Sequence, residues 1–183
     1  KEESIQQRKQ GKMVQSIHPT VMLNKEVYLK AGKYDSRFDG CEDVELFDRM
    51  QKYGPLVTIP ERLLYYRVHG NSLVMQKYMS QTGRVRYVKA RQMHRFETGE
   101  ELDYDEFLQQ DRQRPAFVRF REYIKNLSGL YYRQAGIAYS EKHYPQTVFY
   151  FGLAGLLRPI YVGQRIWKQL LSPEARRNVE SQH

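Results

Sequence analysis

The chain has 183 residues, of which 40% are hydrophobic and 28% are charged, so it holds enough apolar material for one core or for a core with a small appendage. No stretch approaches the roughly 18 consecutive apolar residues of a membrane-spanning helix, and a single cysteine excludes an intrachain disulfide framework. The 30 Lys and Arg against 21 Asp and Glu give a net charge of +9, which makes nucleic acid or a membrane surface the first partners to consider.

The first residues are polar and lack a helical period of apolar side chains. Residues 1–12 therefore read as a flexible leader, and no charged-then-apolar targeting segment is present. Because the chain starts at Lys1 and not at Met, we expect it to be a segment of a longer protein. The lone cysteine fits a reducing compartment. We therefore expect a cytoplasmic protein, either free or associated with a membrane.

Residues 13–78 show a mixed α/β pattern. Strands are predicted over Met13–Leu23, Leu56–Pro60 and Leu63–Val68, and helices over Lys25–Ala31 and Cys41–Tyr53. Residues 79–183 show helical patterning, with helices predicted over Tyr78–Glu97, Ala116–Tyr139, Tyr144–Leu157 and Ile160–Leu171. The predicted fold class is therefore α/β, mixed and mostly helical, with an all-helical subdomain from residue 79.

The predicted helix Cys41–Tyr53 carries the most informative acidic pair. Asp39 and Glu42 have the spacing of a capping box, with Asp39 as the N-cap. Asp43 shares one helical face with Leu46, Phe47 and Met50 and so lies in the first turn at the edge of a buried stripe. The helix N-terminus favours a carboxylate there by roughly 0.3–1 kcal/mol, which keeps it ionised, as a catalytic base must be. The alternative is that Glu42 and Asp43 only stabilise the start of the helix.

Four segments follow one another in an order that is specific when they are taken together. They are His18–Leu23, Ala31–Phe38 with Gly-x-Tyr-Asp, Cys41–Leu46 with Glu-Asp, and Ile59–Ser72 with Tyr-Arg-x-His-x-x-Ser. Over about residues 14–75 the sequence resembles the C-terminal half of a family 2 glycosyltransferase of the GT-A type. The resemblance implies a partial GT-A sheet with few strands in residues 13–78.

The resemblance also implies an activity, which is inverting transfer of a sugar from a nucleotide-sugar donor to the hydroxyl of an acceptor glycan or lipid. Asp43 would be the general base and Glu42 would support or orient the site. His69 would help to bind the diphosphate or a divalent metal, Mg or Mn, and Arg67 would face the diphosphate. The alternatives are a turn histidine bonded to backbone at His69 and a surface ion pair at Arg67.

The nucleotide-binding half of that family, with its Asp-x-Asp metal motif, would lie upstream of His18, where this chain has only 17 residues. We therefore expect the isolated segment to be inactive. The chain does contain Asp103-Tyr104-Asp105, but this motif lies after the Glu-Asp helix and precedes the apolar Phe107-Leu108. It predicts a helix start and not a metal site.

The helical second half contains one tetratricopeptide-like helix pair. Tyr132, Gly136, Tyr139, Phe151, Ala154 and Pro159 follow the order of that repeat, and a single pair predicts a docked hairpin and not a repeat array. The last predicted helix combines apolar residues with Arg158, Arg165 and Lys168. It is compatible with contact to a membrane surface or with packing on its own domain.

The densest basic run predicts no nucleic-acid site. It has no zinc-finger spacing, no aromatic RNA-binding motif and no helix-turn-helix, so we interpret it as solvated helix surface; its members are Arg84, Arg86, Lys89, Arg91 and Arg95. The rival to the glycosyltransferase hypothesis is a protein-interaction module, in which the helical tail binds a protein partner and the first half is a non-catalytic α/β scaffold.

Overall fold

The computed structural model describes residues 18–57, 64–65, 69–70 and 72–168. Within these ranges 74% of the residues are helical and none forms a β-strand. The helices are α1 (Lys25–Lys30), α2 (Glu42–Met50), α3 (Leu73–Gln76), α4 (Tyr78–Thr98), α5 (Tyr104–Gln113), α6 (Ala116–Ser140), α7 (Tyr144–Leu157) and α8 (Pro159–Ile166), and 3₁₀ turns cover His18–Thr20 and Ser36–Phe38.

The predicted α/β fold class with a partial GT-A sheet is wrong, because the described residues are all-helical or irregular. The described end of the strand predicted over Met13–Leu23 forms a 3₁₀ turn, in which Val21 N–H donates to the His18 carbonyl at 3.1 Å. Leu56, Val57 and residues 64–65 are irregular, and the remainder of the other two predicted strands lies outside the described residues. Apolar alternation alone does not make a strand, since a strand also needs a neighbour for its backbone hydrogen bonds.

The short helix α1 confirms the predicted helix at Lys25–Ala31. Asn24 caps its start, with the side-chain oxygen accepting from Glu26 N–H at 2.8 Å and Val27 N–H at 3.1 Å. Gly32 follows the C-cap with φ +87°, a left-handed conformation that glycine adopts without strain. Local signals therefore set both ends of α1.

The described residues form two compact units. The first contains the described residues of 1–67 and 76–114, and the second those of 68–75 and 115–183. Helix α4, which the sequence assigns to the helical tail, packs against α2 in the first unit. Two apolar clusters form the core of this unit; their buried members are Phe38, Tyr87, Val88, Leu102 and Phe107 in one, and Ala31, Leu46 and Phe47 in the other.

Helix α5 confirms that Asp103-Tyr104-Asp105 is a helix start. Asp103 is the N-cap, and its carboxylate accepts from the backbone N–H groups of Asp105 at 2.8 Å and Glu106 at 3.4 Å. These backbone hydrogen bonds hold the pKa of Asp103 below its usual range. The Asp103 carboxylate therefore caps a helix.

The second unit is built on the predicted hairpin, formed by α6 and α7. Tyr132 of α6 meets Phe151 of α7 edge to face at 5.4 Å between ring centroids, and Ser128 Oγ donates to the Ala154 carbonyl at 3.0 Å. Helix α8 packs on α7. Among the described residues, no helix has the length and apolar content needed to span a bilayer.

Candidate functional site

The predicted acidic pair opens helix α2, where Glu42 and Asp43 are the first two helical residues. The chain enters the helix through Gly40, whose φ of +80° lies in the left-handed region, and through Cys41, the N-cap. Cys41 makes no side-chain cap and its thiol is buried. Burial, followed by the charges of Asp43 and Glu42, raises the pKa of this thiol to about 12, so it stays protonated and is no nucleophile at neutral pH.

The predicted capping box between Asp39 and Glu42 is absent. The Asp39 carboxylate instead binds Lys77 Nζ at 2.6 and 2.7 Å, and this interaction holds the pKa of Asp39 below its usual range. Gln81 of α4 donates to the Gly40 carbonyl at 2.5 Å, and Arg84 donates to the Asp39 carbonyl. The start of α4 thus holds the turn that leads into α2.

Asp43 and Glu42 are half-buried and differ in their hydrogen bonds. Asp43 Oδ1 accepts from the Val44 backbone N–H at 2.7 Å, which fixes the carboxylate at the positive end of the helix. Glu42 Oε2 is buried and accepts no hydrogen bond from the part of the chain that the structure describes. A buried carboxylate oxygen without a donor keeps an unsatisfied desolvation cost.

Tyr34 and His18 join this acidic pair, and the sequence analysis assigned neither of them a role. The Tyr34 hydroxyl and His18 Nε2 are 3.0 Å apart, a hydrogen-bond distance. Burial, then Tyr28, Asp43 and Glu42 raise the pKa of Tyr34, so both carboxylates are close enough to act on it electrostatically. The hydrogen bond between Tyr34 and His18 therefore joins two of the four segments that carry the family resemblance, and the segment with Glu42 and Asp43 acts on Tyr34 electrostatically.

The other two predicted site residues are Arg67 and His69. Arg67 lies outside the described residues, so its predicted role stays a prediction. His69 is half-buried in the second unit, where its carbonyl accepts from Ser72 N–H at 3.1 Å. The described part of the chain holds no group of three His, Cys, Asp or Glu side chains that would bind a metal ion.

A buried ion network further along α2 is a second feature that sequence reasoning missed. Arg91 of α4 is 5% exposed and donates to Glu45 Oε1 and Asp48 Oδ2, each at 2.7 Å. Burial alone would lower the pKa of Arg91, but Asp48 and Glu45 outweigh it and raise the pKa. The interpretation of this arginine as solvated surface is therefore wrong.

Arg49 extends the network to the loop after α1. Its guanidinium binds Glu45 Oε2 at 2.7 Å and donates to the Lys33 carbonyl at 2.6 Å and to the Ala31 carbonyl. The acidic residues at positions 45 and 48 thus bind α4 and the loop before Tyr34 to the same helix that presents Glu42 and Asp43. In the sequence, the spacing of three residues shows only that Glu45 and Asp48 share one side of a helix. It does not show that Arg49 and Arg91 are their partners.

Two cavities lie apart from the acidic pair. One of about 150 Å³ is lined by Asp48, Gln51, Lys52, Gln92, Arg95 and Phe96, and one of about 500 Å³ by Gly163, Gln164, Trp167 and Lys168. Neither of these two cavities is lined by Glu42 or Asp43. No protein-family model, curated protein or solved structure matches this chain.

Proposed function

We propose that the first unit supplies the catalytic base of an inverting glycosyltransferase and that Asp43 is that base. The observation that supports the proposal is the half-buried Asp43 carboxylate in the first turn of α2, held at the positive end of the helix by the Val44 N–H. The His18–Tyr34 hydrogen bond joins two further segments of the family resemblance, and the raised pKa of Tyr34 agrees with an electrostatic effect of Asp43 and Glu42 on it. A half-buried carboxylate fixed by one backbone N–H keeps an oxygen for a substrate proton.

The proposed reaction transfers one proton from the acceptor to the base and replaces the bond between sugar and diphosphate by a bond between sugar and acceptor. Asp43 takes the proton of the acceptor hydroxyl while that oxygen attacks the anomeric carbon of the donor sugar. The new carbon–oxygen bond forms as the bond to the nucleoside diphosphate breaks, and the electron pair leaves with the diphosphate. Attack opposite the leaving group inverts the configuration of the anomeric carbon.

The Mg or Mn ion that the resemblance implies stays a prediction, because its Asp-x-Asp motif is expected upstream and the substrate diphosphate would supply further ligands. Among the described residues, no group of three His, Cys, Asp or Glu side chains could hold the ion by itself. The diphosphate site expected at His69 and Arg67 stays a prediction, as does the expectation that a nucleotide-binding half lies upstream.

The test is release of nucleoside diphosphate from a panel of nucleotide sugars in the presence of hydroxyl acceptors. The assay uses one polypeptide that contains this chain and the protein encoded upstream of it. The family resemblance implies that the nucleotide-binding half lies there. Asp43→Asn should lower kcat about 100-fold or more, the usual contribution of a general base.

Asp105→Asn is the matched control. Asp105 is also the second residue of a helix, in α5, but it is exposed and has no role in the proposed site. Its kcat should stay at the wild-type value. Wild-type kcat in Asp43→Asn would contradict the base assignment, and a wild type that uses none of the nucleotide sugars would contradict the activity itself.

A further inference from the structure

The exposed side of α7 is an uninterrupted apolar surface. Helix α7 contains no Asp, Glu, Lys or Arg. Five of its exposed residues recur every three or four positions and so lie on one side; they are Pro145, Val148, Phe149, Gly152 and Leu156. Tyr144 and Gln146 in the first turn are exposed as well. On the opposite side Ala154 is fully buried against Ser128 of α6. Helix α7 therefore uses only one of its two apolar sides to pack the hairpin.

Helix α8, which packs on α7, also exposes apolar residues on one side. Ile160 and Trp167 lie on one side of the helix and its final turn, whereas Val162 lies on the other side and is buried. Leu156, Ile160 and Trp167 are 82%, 75% and 59% exposed. Single exposed apolar residues are normal, but a run of them across two adjoining helices marks an interaction surface. We call Val148, Phe149, Leu156, Ile160 and Trp167 the α7–α8 apolar surface.

Basic side chains accompany this surface. Arg158 lies between the two helices, and Arg165 and Lys168 follow on α8 and its final turn. The Arg158 and Arg165 guanidinium groups lie 4.7 and 5.6 Å from the centre of the Tyr161 ring. Across residues 115–168 there are eight Lys and Arg against two Asp and Glu, a net charge of +6. An apolar helix side next to basic residues matches the chemistry of an anionic lipid surface.

We propose that the α7–α8 apolar surface docks this protein on membranes that contain anionic lipids. The apolar side chains enter the boundary between headgroups and acyl chains, and Arg158, Arg165 and Lys168 meet the lipid phosphates. The bilayer is favoured over a protein partner because it offers apolar and anionic groups together over an area of any shape. The proposal is independent of the sugar transfer proposed above.

The first experiment is co-sedimentation of the chain with vesicles of phosphatidylcholine, with and without phosphatidylglycerol. Binding should require phosphatidylglycerol and weaken as salt is added. Leu156→Asp should lower the partition coefficient about tenfold or more, because it replaces an inserted apolar side chain by a charge. Phe120→Asp is the matched control: Phe120 is 65% exposed on α6, outside the surface, and its replacement should leave binding unchanged.

A variant that binds vesicles more tightly would show that the changes in binding do not result from unfolding. A Cβ at Gly152 would meet no atom of the described residues within 4 Å, so there is room for Gly152→Leu to add an apolar group to the surface. It should raise the partition coefficient about tenfold. Arg165→Gln should lower binding about fivefold, whereas Arg165→Lys should retain it, since a lipid phosphate attracts either cation.

Three results would overturn the proposal. They are equal binding to both kinds of vesicle, equal losses in Leu156→Asp and Phe120→Asp, and the absence of vesicle binding by a folded wild type. If the wild type instead forms a dimer that Leu156→Asp dissociates, the surface joins two copies of the chain and the lipid assignment is wrong. Circular dichroism of each variant checks that the helices are intact.

Discussion

At the scale of single residues, Cys41 shows how burial controls chemistry next to the acidic pair. Burial, reinforced by the charges of Asp43 and Glu42, raises the pKa of its thiol from 9.0 to about 12. The folded chain therefore keeps a proton that the unfolded chain loses. The contribution of this thiol to stability is complete below about pH 9 and is lost as the pH rises toward 12.

This linkage predicts a difference between wild type and Cys41→Ala, which has no thiol. The free energy of unfolding of wild type relative to the variant should fall by up to about 1.4 kcal/mol per pH unit in this window, and stay constant below it. Urea unfolding across a pH series measures both curves. Parallel curves up to pH 12 would show that the pKa of Cys41 is not raised.

At the residue scale the candidate site was only partly predictable. Glu42 and Asp43 could be placed at a helix start because a helix start depends on its own neighbours. Tyr34 belongs to the Gly-x-Tyr-Asp piece, but its hydrogen bond to His18 joins residues 16 apart in the chain. No local pattern specifies such a partner.

At the scale of elements, two glycines have different backbone conformations. One precedes α2 and the other lies inside α4. Gly40 has φ +80°, and a side chain there would meet Lys77 Cδ at 3.0 Å. Gly83 lies inside α4 with a helical backbone, and a side chain there would meet no atom within 4 Å. Replacing glycine by alanine should therefore change the free energy of unfolding in opposite directions at the two positions.

Gly40→Ala should lower the free energy of unfolding by about 1–2 kcal/mol, the cost of a left-handed backbone for alanine. Gly83→Ala should raise it by about 0.5–1 kcal/mol, because glycine is a poor residue inside a helix. Denaturant unfolding of both variants gives the two values. Changes of the same sign would contradict the backbone conformation of the Gly40 turn.

At the scale of the whole molecule, charge is used in two ways. Arg49, Arg91 and Arg95 bind carboxylates of the first unit, so part of the basic excess is structural. Residues 115–168 carry a net charge of +6, and three of their basic residues, Arg158, Arg165 and Lys168, accompany the apolar surface proposed to bind lipid. The overall +9 is therefore the sum of structural arginines and of basic residues in the second unit.

The buried network predicts a large loss of stability in Arg91→Met. The variant leaves Glu45 and Asp48 buried without their main cation, which should cost about 3–5 kcal/mol. Arg37→Met is the control, because its ion pair with Asp35 is exposed and should be worth less than about 1 kcal/mol. Denaturant unfolding measures both losses.

A compensated variant separates charge from packing. Adding Glu45→Gln and Asp48→Asn to Arg91→Met should recover part of the lost stability, because the two buried carboxylate charges are then gone, whereas Arg49 and Arg95, which lose those partners, are more exposed to solvent. An equal loss in Arg91→Met and Arg37→Met would contradict the burial of the network. A further loss in the triple variant would show that the carboxylates stabilise the fold by another route.

The sequence by itself determined most helices of this protein, because their ends depend on residues a few positions away. Gly32 ends α1, Asp103 caps α5, and α7 spans Tyr144–Leu157 as predicted. The helix predicted over Ile160–Leu171 begins at Pro159, and its last residues lie outside the described part of the chain.

Only the tertiary structure decided the pairings between distant residues. Arg91 binds Glu45 across 46 positions, and Lys77 binds Asp39 across 38, which removes Asp39 from its predicted cap. The predicted sheet failed for the same reason. Local alternation of apolar residues is compatible with a strand, but only packing over the whole chain decides whether a partner strand, a helix or a turn receives the backbone hydrogen bonds.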